Sequence, residues 1–131
     1  MKVLVDTNIL FSAILNENSR VAKALIYVSL YHEMVFAEQN LWEIREIIRR
    51  KMPTKKRAME KLLRTLSYDV IKTLEDTEIE MRDAKDKPIL LAAIQNGVDI
   101  ILTGDKDFLV LKIKHPRCMN VAEFFEEYLN D

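Results

Sequence analysis

The stretch Val3-Leu4-Val5-Asp6-Thr7-Asn8 decides the fold class, because an apolar, partly β-branched run leads directly into an acid and two helix-capping residues. A short, continuous apolar run is typical of a strand that is buried on both faces. Apolar residues then recur at helical spacing, at Ile9, Leu10, Ala13 and Ile14. The beginning of the chain therefore predicts a buried strand that ends at Asp6 and passes straight into a helix.

The same alternation of strand and helix continues along the chain. Further strands are predicted at 34–37, 70–71, 100–102 and 118–119. Helices are predicted to begin at or close to Thr7, Ser19, Asn40, Thr54 and Asp86, with two more at 106–110 and 121–129. Residues 73–85 predict a polar loop or a frayed helix. The pattern predicts an α/β three-layer sandwich with a central parallel sheet of four to five strands, formed by one domain over residues 1–131.

The composition excludes several classes of protein. The 131 residues are 49% hydrophobic and 31% charged, which is an ordinary globular balance, and 2 Gly and 3 Pro exclude collagen-like chains. Cys118 is the only cysteine, so neither an intramolecular disulfide nor a cysteine-based zinc finger can form. Asp6 interrupts the first apolar run, and there is no long uncharged apolar window. We therefore expect a soluble cytoplasmic protein.

The charges are segregated along the chain. Residues 45–72 contain ten basic and three acidic side chains, a local charge of +7, and residues 75–86 contain six acidic and two basic ones, a local charge of −4. A basic segment beside an acidic one is typical of a protein that binds a polyanion and places metal ions on it. Charge alone leaves open the alternative that the basic helices are simply solvated.

Four acids are predicted to meet at one edge of the sheet. Asp6, Glu43 and Asp105 lie at or soon after the carboxyl end of a predicted strand, and Asp86 lies at a helix start. Ligands of parallel sheets bind beyond the carboxyl ends of the strands. Carboxylates are ligands for Mg²⁺ or Mn²⁺, and two such ions can hold the attacking and leaving oxygens of a phosphodiester. His32 and His115 lie outside these acidic segments, which disfavours zinc.

Each acid also has a purely structural interpretation. Asp6 and Asp105 can cap helices, and Glu43 can be the acid of a capping box that Asn40 opens. Asp86 can interact with the dipole of the helix that follows it.

Four motifs resemble those of the PIN-domain nucleases. They are Val-Asp6-Thr7-Asn8-Ile-Leu, Leu-Trp-Glu43-Ile, Asp86-Lys-Pro-Ile-Leu-Leu-Ala-Ala and Leu-Thr103-Gly104-Asp105-Lys106-Asp107-Phe108-Leu. Their order and spacing are similar over about residues 1–127, and the toxin components of toxin–antitoxin pairs are the most similar subgroup. The resemblance implies a central parallel sheet flanked by helices and a metal-dependent endoribonuclease that uses Mg²⁺ or Mn²⁺ to activate water.

The resemblance also implies roles for individual residues. Asp6 would be the central metal ligand, Asp86 and Asp105 would complete the metal shell, and Glu43 would bind metal directly or through water. Asp107 is a further candidate ligand. Thr7, Asn8 and Thr103 would orient the acids by hydrogen bonds. Lysines on both sides of Asp86 leave open whether Asp83 or Asp86 is the third acid.

Partners are predicted on the same basis. The phosphates of an RNA substrate would contact basic side chains in the segment that follows Glu43, at Arg45, Arg49, Arg50, Lys55 and Lys56. The resemblance implies an antitoxin protein and a homodimer, for which Tyr27, Tyr31 and Trp42 are candidate contact residues.

Two alternatives remain at this point. A non-catalytic PIN-like module would use the same fold to bind RNA or protein. An aspartate-dependent phosphatase would use Asp6 as its nucleophile, but the acid usually found two residues later is replaced by Asn8.

Overall fold

The computed structural model describes residues 1–72, 87–111 and 113–129. Its elements, in chain order, are β1 (Lys2–Val5), α1 (Thr7–Leu15), α2 (Arg20–Tyr31), β2 (Glu33–Ala37), α3 (Glu38–Lys51), a 3₁₀ turn (Pro53–Lys55), α4 (Lys56–Thr65), β3 (Asp69–Ile71), α5 (Lys87–Gln95), β4 (Ile100–Leu102), α6 (Lys106–Leu109), β5 (Arg117–Met119), α7 (Val121–Phe124) and a π-helical turn (Phe125–Leu129). Asp83, Asp86 and the polar segment predicted at 73–85 lie outside the described residues.

The five strands form one parallel sheet in the order β3-β2-β1-β4-β5. The predicted α/β fold with a parallel sheet of four to five strands is therefore confirmed. The first strand lies at the centre, and the chain turns to opposite sides of it, so β1 and β4 flank the point at which the strand order reverses. Val5 is the register partner of Leu102, which brings the next residues, Asp6 and Thr103, to the same edge.

Helices cover both faces of the sheet. Val3 and Val5 pack with α1, α2, α3 and α4 on one face, while Leu4 packs with α5 and Phe108 on the other. This alternation with a period of two explains why the central strands are apolar at every position. The result is the three-layer arrangement that the sequence predicts, with a buried apolar core on each side of β1.

Two helix starts differ from the prediction. Helix α3 begins at Glu38, with Ala37 before it, so Asn40 lies inside the first turn and does not open the helix. Thr54 lies within the 3₁₀ turn, and α4 follows Lys55 without a side-chain cap. Helix α5 ends at Gln95, and Gly97, two residues later, has a φ of +68°, which favours glycine. None of the helices in the described ranges has the length and apolarity needed to cross a membrane.

Candidate active site

Asp6 and Thr103 form the centre of the carboxyl edge of the sheet. Asp6 is only 3% exposed and Thr103 is fully buried. The Thr103 hydroxyl donates to Asp6 Oδ2 at 2.8 Å, and the backbone N–H of Thr7 donates to Asp6 Oδ1 at 2.8 Å. The Thr103 hydroxyl oxygen also accepts the backbone N–H of Asp105 at 2.9 Å. Thr103 therefore connects the ends of two neighbouring strands and fixes the Asp6 carboxylate.

Burial makes the Asp6 carboxylate an unusual acid. Removal from water raises its pKa to about 6, although the hydrogen bonds from Thr103 and Thr7 act in the opposite direction. The negative charges of Asp105 and Glu43 raise the pKa further, so repulsion between acids contributes less than burial. No lysine or arginine in the described residues forms an ion pair with Asp6. Within the described ranges, the site therefore holds a buried anion whose charge no basic side chain offsets.

Glu43 reaches the same edge from helix α3. The Thr7 hydroxyl donates to Glu43 Oε2 at 2.9 Å, and the Gln39 amide donates to Glu43 Oε1 at 3.2 Å. Glu43 lies one turn beyond the start of α3, so the capping-box interpretation of its carboxylate is wrong. Thr7 thus contacts both acids, since its N–H binds Asp6 and its hydroxyl binds Glu43.

Asn40 is a site residue whose role the sequence did not predict. It is fully buried, its Oδ1 accepts the backbone N–H of Ala37 at 3.0 Å, and its Nδ2 donates to Thr7 Oγ1 at 3.0 Å. Its amide therefore accepts a backbone N–H that precedes α3 and orients the Thr7 hydroxyl that binds Glu43. Asn40 and Gln39 were detectable only as polar side chains in the first turn of a helix that follows a buried strand.

Asp105 and Asp107 follow Thr103 at this edge. Asp105 Oδ1 caps α6 by accepting the backbone N–H of Asp107 at 2.8 Å. The helix-cap interpretation of Asp105 is therefore correct for Oδ1, and it does not account for Oδ2. Both residues are half-buried. Asp105 lies on the same edge as Asp6, because the Thr103 hydroxyl binds both residues.

The donor chemistry fits a hard divalent cation, but the described residues supply only part of a metal shell. The acids at this edge are all carboxylates, which Mg²⁺ and Mn²⁺ prefer, and a cation would offset the charge of the buried Asp6. Within the described ranges, however, no three Asp, Glu, His or Cys side chains converge as a metal-binding group. Asp86 lies outside the described residues. Asn8 is exposed, and no described hydrogen bond joins it to the acids.

The predicted RNA-contacting side chains lie on the surface of α3 and at the start of α4. Arg45, Arg49, Arg50 and Lys56 are exposed, and Lys55 is half-buried. Arg49 is already paired, since its guanidinium contacts the Glu46 carboxylate at 2.8 Å. The Glu46 carboxylate therefore competes with a phosphate for this guanidinium.

The aromatic residues predicted at an interface differ in exposure. Tyr31 and Trp42 are 69% and 62% exposed. Tyr27 is only half-exposed, because its hydroxyl donates to the backbone oxygen of Tyr128 at 3.2 Å and its ring contacts Tyr31 at 4.9 Å between centroids. Tyr27 therefore holds the C-terminal helical segment against α2, and it offers less surface to a second chain than Tyr31 and Trp42 do.

Comparisons with known proteins give the following similarities. The sequence model of a family described as "PIN domain" matches residues 2–107. The fold is similar to VapBC2 from Rickettsia felis, whose crystal structure is described as bound to a DNA fragment from their promoter, with a TM-score of 0.68, 16% identity, and 92% of this chain and 98% of that chain covered. It is also similar to PAE2754 from Pyrobaculum aerophilum, with a TM-score of 0.63, 14% identity and coverage of 96% and 93%. No curated protein matches the chain at a significant level.

Proposed function

This chain belongs to the PIN domain family, a family consisting mainly of nucleases, and we propose that it is an endoribonuclease that uses Mg²⁺ or Mn²⁺. The observation that carries the proposal is the buried Asp6 carboxylate, which is held by two hydrogen bonds and offset by no cation in the described residues. An uncompensated buried charge is costly, so a fold that keeps one gains from a cation that binds there.

The acids at this edge would have different roles in binding the metal. Asp6 would bind the metal through the electron pairs that Thr7 and Thr103 leave free, and Asp105 would bind it through the oxygen that does not cap α6. Glu43 would bind it directly or through water, and Asp86 and Asp107 are proposed as further ligands. A bound Mg²⁺ or Mn²⁺ supplies a water of lowered pKa and neutralises charge that develops on the phosphodiester oxygens.

Hydrogen bonds from the chain set the orientation of the acids. Thr103 and Thr7 fix the two oxygens of Asp6, and Thr7 and Gln39 fix those of Glu43. Each carboxylate oxygen that accepts one of these hydrogen bonds keeps an electron pair that could bind a cation. Asn8 has no such contact among the described residues, and we do not retain it as an orienting residue.

Basic side chains would guide the RNA strand toward this edge. Arg45, Arg50 and Lys56 are exposed, and their segment carries an excess of positive charge. Such side chains contact phosphates and contribute little sequence discrimination. Arg49 would contribute less than the others because Glu46 holds it, and Lys55 less because it is half-buried.

Partners follow from the same motif resemblance. We propose that the chain acts as a single PIN-like domain in the cytoplasm, as the toxin of a toxin–antitoxin pair, and that it forms a homodimer. Helix α2 offers an apolar surface for the dimer, since Ile26, Leu30 and Tyr31 are 42%, 69% and 69% exposed. Light scattering at tens of micromolar, an ordinary working range, should give twice the chain mass, and a monomer would contradict the dimer.

The decisive test is cleavage of RNA by the purified chain. Wild type with Mn²⁺ should cut single-stranded RNA, EDTA should stop the reaction, and Asp6→Asn should lower the rate by at least about 100-fold, the scale for loss of one group that stabilises developing charge. Glu60→Gln, an exposed carboxylate on α4, is the matched control and should cleave like wild type.

Three outcomes would count against the proposal. Cleavage that survives EDTA would exclude metal dependence. Equal rates for wild type and Asp6→Asn would point to a contaminating nuclease. RNA binding without cleavage under any metal would favour the alternative of a non-catalytic binding module.

A further inference from the structure

A cavity of about 420 Å³ lies at the ends of β2 and β3 and is lined there by the first turn of α3. Its floor is apolar and buried, since Ala37, Ile71 and Ala92 form it, and Ala37 and Ile71 are register partners at the ends of their strands. Trp42 and Gln39 from α3 form one wall, and we refer to this space as the Trp42 cavity. Its volume is within the range of small-ligand sites.

Trp42 is the most exposed large apolar residue of helix α3. It is 62% exposed, whereas Ile44 and Ile48 on the same helix are at most 1% exposed. An indole that borders an open cavity presents a flat π surface to whatever enters. Nucleobases stack on such surfaces, and the contact tolerates any base because every base has a π face.

The Trp42 cavity is connected to the acids through one side chain. Gln39 lines the cavity, and its amide donates to Glu43 Oε1 at 3.2 Å. Gln39 and Trp42 are three residues apart on α3 and therefore share a helix face. A group in the cavity would lie one side chain away from Glu43, and Lys72, which is exposed at the same cavity, places a positive charge beside it.

From this juxtaposition we propose that the Trp42 cavity holds an unpaired nucleobase of the RNA, stacked on the indole, with a neighbouring phosphate at Lys72. The inference rests on the proposed function and specifies its substrate as single-stranded near the cut, because a base can enter only when it has left its pair. Glu38 and Lys72 both line the cavity, so its charge alone selects no partner. The hydrogen bond from Gln39 to Glu43 favours RNA over a protein partner, because it connects the cavity to the acids proposed to cut RNA.

Trp42 is the only tryptophan, so its emission reports on this cavity alone. We would titrate wild type, in EDTA to prevent cleavage, with a single-stranded RNA of about ten nucleotides, within the usual site size of single-strand binders. The emission should be quenched saturably. The same strand annealed to its complement should quench much less.

Affinities measured from the anisotropy of labelled RNA complete the test. Trp42→Ala should weaken binding by about 5- to 100-fold, the value of one stacked base. Trp42→Phe should keep most of the affinity, and it also serves if the alanine variant folds poorly. Ile94→Ala removes an exposed apolar side chain on α5 that has no proposed role and should bind like wild type.

The proposal is overturned if RNA leaves the emission unchanged, if duplex quenches as strongly as single strand, or if Trp42→Ala and Trp42→Phe both bind like wild type. An emission that responds to protein concentration and not to RNA would assign Trp42 to a contact between chains and would also overturn it. The binding test contains no metal, so its result does not depend on whether the chain cleaves RNA. A chain that cleaves RNA but shows no Trp42-dependent binding would retain the proposed function and lose only the proposal for the Trp42 cavity.

Discussion

The two ends of the β1–β4 pair each carry an aspartate, and the two acids have opposite surroundings. Asp99, at the amino edge, accepts the backbone N–H of Lys2 at 2.8 Å, lies 3.7 Å from the imidazole of His115, and has a side chain that is 42% exposed. Asp6, at the carboxyl edge, is 3% exposed, and no described basic side chain pairs with it.

The difference separates a structural acid from a candidate ligand. Water and a neighbouring imidazole accommodate the charge of Asp99, and its carboxylate ties β1 to the turn before β4. Among the residues that the structure describes, only hydrogen bonds accommodate the charge of Asp6, and they do not replace the lost hydration, as its raised pKa indicates. A divalent cation at the carboxyl edge would remove this asymmetry.

Among the residues that orient the acids, the largest effect is expected from Thr103, whose hydroxyl binds Asp6 and Asp105 at once. Thr103→Val keeps the shape but removes both hydrogen bonds, and it should lower Mn²⁺ affinity by about 10- to 100-fold, as the loss of an orienting partner does. Thr103→Ser keeps the hydroxyl and should stay close to wild type. Calorimetric titration with Mn²⁺ measures both. Equal affinities for the valine variant and wild type would mean that this hydroxyl only supports the fold.

A smaller effect is expected in the metal-free stability of Asp6→Asn. Because the folded pKa is about 6 and the ordinary value is 3.8, the folded state holds a proton that the unfolded state has released between about pH 4 and pH 6. Wild-type stability should therefore fall as pH rises through this interval, and the asparagine variant should be more stable by about 1–2 kcal/mol at pH 7.5.

Denaturant unfolding in EDTA at pH 4 and pH 7.5 measures this difference, which should nearly vanish at pH 4. Saturating Mn²⁺ at pH 7.5 should reverse the order, because a ligand stabilises only the chain that binds it. A variant that is less stable than wild type in EDTA at pH 7.5 would show that the Asp6 carboxylate stabilises the fold.

The smallest effect concerns the basic surface of α3. The double variant Arg49→Ala with Arg50→Ala should reduce the slope of log affinity against log salt concentration by about 0.7, which is the value of one single-strand phosphate contact. We expect the loss of one contact and not two, because Glu46 already holds Arg49. Glu46→Gln releases Arg49 and should strengthen binding. Affinities measured between about 50 and 200 mM salt give both slopes. An unchanged slope in the double variant would remove these arginines from the RNA path.

The sequence predicted the site's location because strand ends were readable from it. The apolar runs at 3–5 and 100–102 mark where β1 and β4 end, and a parallel register then brings Asp6 and Thr103 together. The contacts within the site were not readable in the same way. Asn40 has the residue type of a helix cap, yet it lies inside α3, because its amide satisfies Ala37 and Thr7 at the same time. The position of Asn40 in the helix depends on its hydrogen bond to Thr7, which is 33 positions away in the chain, and a local sequence pattern cannot predict such a contact.

The start of α4 shows the same limit. Thr54 is a good capping residue, but Pro53 begins a 3₁₀ turn that includes it, and the helix follows Lys55. Tyr27 was a candidate contact residue because of its aromatic type, whereas its hydroxyl contacts the C-terminal segment at Tyr128. The start of α4 and the burial of Tyr27 thus both depend on a turn or a contact that the helical periodicity does not reveal.

Binding of Mn²⁺ to wild type, Asp6→Asn and Asp99→Asn, measured by calorimetry under identical conditions, tests most directly whether the carboxyl edge is a metal site. Wild type and Asp99→Asn should bind Mn²⁺ saturably and with similar affinity, and Asp6→Asn should bind at least about 10-fold more weakly. Equal affinity in all three chains, or a loss confined to Asp99→Asn, would contradict a metal site built around Asp6.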